Sequence, residues 1–158
     1  MFYSHSSMKR FNVVVAPRNG GKTRYLSSIK CAYGILTKSI DSSKNELYFY
    51  DLKSGNTHSF LKRVDGRYQE EEGAFEWAEK ILLTLTSGTV IIDECGKIEL
   101  VNKRGFYNVI NTLIEREDIT LYVAVRDSNL ELFLNTYKRN WNIIKLEQVE
   151  FFSYILLP

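Results

Sequence analysis

The stretch Phe11-Asn12-Val13-Val14-Val15-Ala16-Pro17-Arg18-Asn19-Gly20-Gly21-Lys22-Thr23 decides how the chain reads. Phe11 to Val15 is a short apolar run that stops at Ala16-Pro17, as a buried parallel strand would. Residues 16–23 nearly match the phosphate-loop pattern G-x-x-x-x-G-K-[ST], with Ala16 in place of the first glycine. Such a loop must let backbone N–H groups converge on phosphate oxygens. Gly20 and Gly21 leave room for that approach. Lys22 would neutralise the β and γ phosphates, and the Thr23 hydroxyl would bind Mg²⁺. An ordinary glycine-rich turn followed by a surface lysine has similar residues. The apolar strand before and the helical pattern after favour phosphate binding. The expected nucleotide-binding residues are therefore Ala16, Pro17, Arg18, Asn19, Gly20, Gly21, Lys22, Thr23 and Arg24.

A second segment completes the chemistry. Val90-Ile91-Ile92-Asp93-Glu94 is a buried strand that ends in two acids. Alone it reads as a strand running into a solvated turn; paired with Lys22-Thr23, it supplies what the loop lacks. Asp93 is the acid that would hold Mg²⁺ together with Thr23. Glu94 is the candidate base that orients or deprotonates the attacking water.

Working outward, Tyr25, Leu26, Ile29, Ala32 and Tyr33 recur at helical spacing. Gly34–Ile40 and Glu46–Leu52 are strand-like runs joined by the turn-rich residues 41–45, so they form an antiparallel hairpin, extended by residues 57–62. Ala74, Trp77, Ala78, Ile81, Leu82 and Leu85 mark a helix face. Buried strands follow at residues 89–92 and 120–125, with a helix through Phe106, Val109, Ile110, Leu113 and Ile114 between them. Ser128 with Glu131 reads as a capping box opening a further helix. Residues 142–146 read as a strand, and Phe151–Leu157 as an edge strand. Alternating strands and helices imply an α/β fold with a mostly parallel sheet flanked by helices on both faces and the hairpin inserted. With no repeat, low-complexity tract or linker, residues 1–158 read as one domain.

The run Ile92-Asp93-Glu94-Cys95-Gly96-Lys97-Ile98-Glu99-Leu100 resembles the I-D-E-[IV]-G-K-[ML]-E-L signature of the thermophile-type, or cancer-related, nucleoside triphosphatases. Gly34-Ile35-Leu36-Thr37 resembles that family's G-F-Y-T strand, Asp51-Leu52-Lys53-Ser54-Gly55 its D-L-x-x-G segment, and Leu121–Val125 its late apolar strand. Departures are Ala16, Arg24 at a usually small position, and Cys95 at an aliphatic one. The resemblance implies a P-loop NTPase fold and slow, Mg²⁺-dependent hydrolysis of several nucleoside triphosphates, ATP and GTP among them, to diphosphates.

Two further cations stand near this machinery. Lys97 belongs to the matched signature and would stabilise charge on the γ-phosphate; the plainer alternative is a salt bridge that pins the loop. Arg126 follows a buried strand and would act as an in-cis arginine finger, against an ion pair with Asp127 or Glu131. Glu99 reads as structural, Arg18 as solvent-facing and Arg104 as a weaker candidate. No motif marks a base pocket, although Tyr48, Tyr50, Phe60 and Tyr68 offer stacking faces.

Composition sets the outer limits. The 158 residues are 44% hydrophobic and 25% charged, with a net charge of +2. That balance gives no argument for a nucleic-acid or membrane partner. Cys31 and Cys95 lack metal-site spacing; as core fillers they fit a reducing cytoplasm. A nucleoside or nucleotide kinase is the rival enzyme, though it needs an acceptor pocket and usually an arginine-rich lid, and no arginine cluster is visible. A nucleotide-dependent switch acting through a partner is the rival outside enzymes. On the leading reading, Lys22→Ala weakens triphosphate binding severely in calorimetry; undiminished affinity would remove the loop assignment.

Overall fold

The computed structural model describes residues 9–146, so the strand expected at Phe151–Leu157 lies outside them. The described strands are β1 (Phe11–Ala16), β2 (Ala32–Ser39), β3 (Glu46–Asp51), β4 (Thr57–Val64), β5 (Arg67–Glu70), β6 (Gly88–Ile92), β7 (Ile119–Arg126) and β8 (Asn142–Lys145). They form one sheet in the order β5-β4-β3-β2-β6-β7-β1-β8. Strands β2, β6, β7, β1 and β8 run parallel. From β2 to β5 the pairing is antiparallel. The expected hairpin is therefore the continuation of the main sheet past β2, longer by β5 than the sequence indicated.

Strand alternation divides the core between the two faces. Val13, Val15, Ile35, Val90, Ile92, Leu121, Val123 and Val125 share one buried cluster with residues of α2 (Ala74–Thr84), α4 (Tyr107–Leu113) and α5 (Leu130–Thr136). Val14, Leu36, Ile91 and Ala124 point the other way, onto Leu26 of α1 (Lys22–Ser27). A four-residue helix, α3 (Lys97–Leu100), follows β6 where the sequence reading had a loop. No described helix is long and apolar enough to cross a membrane.

Several local expectations need correction. The helix after the loop does not reach Ala32 and Tyr33, which lie in β2. The Ser27 and Ser28 hydroxyls bond back to the carbonyls of Thr23 and Tyr25, and Cys31 adopts φ 59°, which turns the chain into β2. Cys31 is exposed, not core; Cys95 is buried. Ser128 does not cap a helix. It lies in a 3-10 turn and its N–H donates to Asp127 Oδ1 at 2.8 Å, while α5 starts after Asn129.

The D-L-x-x-G segment is a structural turn. Asp51 is buried, and its carboxylate accepts from the Lys53 N–H at 3.0 Å and from the Ser54 hydroxyl at 2.8 Å. Gly34 is equally structural: at φ 124° it lets β2 meet β6, and a Cβ there would lie 2.1 Å from the Ile91 carbonyl oxygen. Gly34→Ala is expected to lower stability by about 2–4 kcal/mol, since strain and a backbone clash coincide. Chemical denaturation measures it, and an unchanged midpoint would contradict the packing described.

Candidate functional site

The carboxyl ends of β1, β6 and β7 lie on one edge of the sheet. Ala16 pairs with Arg126 and Ile92 with Val123, so the segments after each strand start side by side. From β1 the chain crosses to β2 on one side, and from β7 it returns past β1 to β8 on the other. A crevice at such a reversal is where open α/β sheets bind ligands.

The loop after β1 is compact. The Gly20 N–H bonds the Pro17 carbonyl at 2.9 Å, and Asn19 and Gly21 adopt φ 61° and 87°. Left-handed residues alternating with ordinary ones make a concave backbone of the kind that binds anions. A Cβ on Gly20 would lie 2.6 Å from Ala16 Cβ and 2.8 Å from the Pro17 carbonyl oxygen. Ala16 itself is extended, buried and paired in β1, a conformation alanine adopts freely. The departure from glycine at position 16 is thus accommodated by the glycine at 20.

Asp93 is the anchor of the site. It is 3% exposed, and its Oδ2 accepts from the Thr23 hydroxyl at 2.7 Å and the Thr37 N–H at 3.1 Å. The Thr37 hydroxyl donates to the Asp93 carbonyl at 3.0 Å. Burial pushes the Asp93 carboxyl up to about 6, against the pull of its hydrogen bonds to Thr23 and Thr37. Lys22 is also buried, and desolvation lowers its pKa while Glu94 and Asp93 oppose the shift. Glu94 is exposed and held at φ 81°, unusual for a residue with a side chain. Backbone of this kind costs about 1–3 kcal/mol and collects at functional sites.

A cleft of about 860 Å³ covers these groups. Arg18, Asn19, Gly20, Gly21, Lys22, Thr23 and Arg24 line it from the loop, with Asp93, Glu94 and Arg126. Ala16 and Pro17, also expected at the nucleotide, do not line it. Thr37, Lys38 and Lys44 also reach the cleft, and the sequence reading missed all three as site residues. Thr37 lay within the quoted Gly34–Thr37 segment, whereas Lys44 had no signal: it arrives because the β2–β3 turn folds over the loop, where its ammonium meets Asn19 Oδ1. The cleft sets six cations (Arg18, Lys22, Arg24, Lys38, Lys44, Arg126) against two acids.

Arg126 keeps a buried Nε without a hydrogen-bond partner among the described residues. No ion pair to Asp127 or Glu131 occupies it there. Lys97 is exposed and lies off this cleft, in an adjoining cavity. Arg104 pairs with Glu70 at 2.7 Å, outside the site. Glu99 is structural, as read: its two carboxylate oxygens accept from the N–H groups of Gly96 and Phe106, both at 2.9 Å. Phe60 and Tyr68 face the adjoining cavity, Tyr68 touching both; Tyr48 and Tyr50 line neither.

No family model matches the chain, and no curated protein does. Among solved structures, that of a human cancer-related nucleoside triphosphatase superposes with a TM-score of 0.64, over 94% of this chain and 98% of that one, at 13% identity. At that identity the likeness is one of fold: this chain is built on the same mixed α/β plan as that protein.

Proposed function

We propose that the protein is a slow, Mg²⁺-dependent nucleoside triphosphatase of broad base specificity, built on a P-loop NTPase fold. The observation that carries this reading is the Thr23–Asp93 hydrogen bond beside buried Lys22, at the floor of a cleft with six cations and two acids. A triphosphate has the charge to fill such a cleft. The fold shared with a protein named a nucleoside triphosphatase agrees with it.

The donor set fits magnesium. Thr23 and Asp93 offer a hydroxyl and a carboxylate in contact, and no group of three or more His, Cys, Asp or Glu residues suited to a metal ion occurs among the described residues. Mg²⁺ usually takes one or two protein oxygens and completes its shell with water and phosphate. Thr23 and Asp93 would hold it, and bound there it would neutralise charge on the β and γ phosphates.

The chain's own groups do the rest. Loop N–H groups from residues 19–23 cradle the phosphates, and Lys22 bridges the β and γ oxygens. The burial of Lys22 strengthens that attraction. Arg126, which lines the cleft, stabilises the charge that grows at the γ-phosphate in the transition state. Glu94, at the mouth of the cleft, orients a water and takes its proton.

Glu94→Gln leaves nucleotide and Mg²⁺ binding nearly intact and cuts turnover by about 10²–10⁴-fold, the usual contribution of a general base. Asp93→Asn weakens Mg²⁺-dependent binding as well. Phosphate release and calorimetry on both variants separate a base from a ligand; equal binding losses would show that Glu94 has the wrong role.

The pH dependence follows from Asp93. Its raised pKa means that the neutral carboxyl survives to higher pH, and only the ionised form binds a cation. Mg²⁺-dependent affinity should therefore fall as pH drops through about 6. In the metal-free protein the sign reverses: stability declines as pH rises from the ordinary carboxyl range to about 6, because the buried carboxyl must ionise. Titrations of binding and melting against pH check both arms.

A further inference from the structure

A second cavity, of about 450 Å³, adjoins the phosphate cleft and shares Thr37, Leu47, Leu61, Tyr68, Glu94 and Arg126 with it. None of the loop residues 18–24 lines it. Loop N–H groups cradle the α and β phosphates and the loop lysine reaches the β and γ. The end of a bound triphosphate that approaches Glu94 and Arg126 is thus the γ end. The second cavity opens beyond that end, on the side from which a group attacks the γ-phosphorus.

Its walls are those of an organic-ligand site, not of a water channel. Leu47, Phe60, Leu61, Phe75, Ile98 and Phe106 form them. Phe60 and Phe75 meet edge to face at 5.0 Å, as do Phe75 and Phe106 at 5.2 Å, an arrangement that fixes flat apolar faces. Ser128, Asn129 and Lys97 add polar groups at the rim. The volume lies in the range of small-molecule pockets. Strands β3 and β4 supply Leu47, Phe60 and Leu61, which gives the antiparallel extension of the sheet a purpose.

Resting on the phosphate-loop reading above, we infer that this cavity binds a second substrate, a hydroxylated aromatic compound of nucleoside type, and that the protein transfers the γ-phosphoryl group to it. The ring lies between the phenylalanine and leucine faces, and the rim groups take its polar edge. The acceptor hydroxyl oxygen bonds to the γ-phosphorus as the bond from that phosphorus to the β–γ bridging oxygen breaks, its electron pair staying on the bridging oxygen. The hydroxyl proton passes to the Glu94 carboxylate and from there to solvent. The products are a phosphate monoester and a nucleoside diphosphate. Glu94, at φ 81°, and Arg126 line both cavities and so serve both reactants. With the second cavity empty, water takes the acceptor's place and hydrolysis is the residual reaction.

The test incubates the full chain with Mg²⁺ and γ-labelled ATP, alone and with each of adenosine, guanosine, cytidine, uridine and thymidine. Labelled phosphate and labelled ester are separated by chromatography, and saturation-transfer NMR reports contact of each nucleoside with the protein without catalysis. The expected result is labelled ester from at least one nucleoside, with saturation transfer to its ring protons. Both are lost in Ile98→Trp, whose indole fills the cavity, and in Ser128→Trp, which blocks it from the exposed rim. Phosphate release at one rate in every mixture, with neither ester nor saturation transfer, overturns the acceptor site and leaves the hydrolase. Saturation transfer without ester overturns the transfer step. Absence of phosphate even from ATP alone, with no ester, overturns the hydrolase reading as well.

Discussion

One buried carboxylate ties the architecture together. Asp93 stands at the end of β6 and takes hydrogen bonds from Thr23 at the start of α1 and from Thr37 in β2. Three segments far apart in sequence are thus fixed to one oxygen atom. A carboxylate so enclosed costs several kcal/mol in desolvation, and hydrogen bonds to a charged group return about 1.5–3 kcal/mol each. The remainder is why its proton is held to about pH 6, and why a cation at Thr23 and Asp93 would relieve a standing electrostatic debt.

The neighbouring elements follow from that constraint. Gly34 allows β2 to press against β6, which brings Thr37 to Asp93. The Asp93 N–H bonds the Ile35 carbonyl at 3.0 Å, and the Cys95 N–H bonds the Ala124 carbonyl at 2.8 Å, so the acidic turn is stitched to both flanking strands. Glu99 then closes the next turn by binding the N–H groups of Gly96 and Phe106, with burial pushing its own carboxyl up to about 7. Between the two anchored carboxylates lies Glu94, exposed and left-handed. A signature with three acids therefore divides its labour by environment: two are buried and bonded to the backbone, and the one between them is presented to the cleft.

Charge is organised in the same way. The chain as a whole carries only +2, yet the cleft gathers cations from the loop, β2, the β2–β3 turn and β7. Weak global charge and a strong local pocket are compatible because acids elsewhere, such as Glu70, Glu115 and Asp118, are matched to surface arginines. Exposed pairs of that kind contribute little to stability, so their partners' absence from the cleft matters more than their energy.

The sequence by itself determined the glycine loop between β1 and α1, the acids at 93 and 94, the parallel strands and most helices. Each is written in consecutive residues: a period of two or of 3.6, a glycine pair before lysine, an apolar run ending in carboxylates. The unpartnered Nε of Arg126, the exposure of Cys31, the end of α1 at Ser27 and the idle capping pair Ser128–Glu131 were decided by tertiary structure, because each depends on what a distant segment leaves free. So did the arrival of Lys44 and Thr37 at the cleft, carried there by sheet pairing and not by any local pattern. The second cavity is the clearest case. Leu47, Leu61, Phe75 and Phe106 look like ordinary core positions one by one, and only the packing of β3, β4, α2 and α4 leaves a space between their faces beside Glu94.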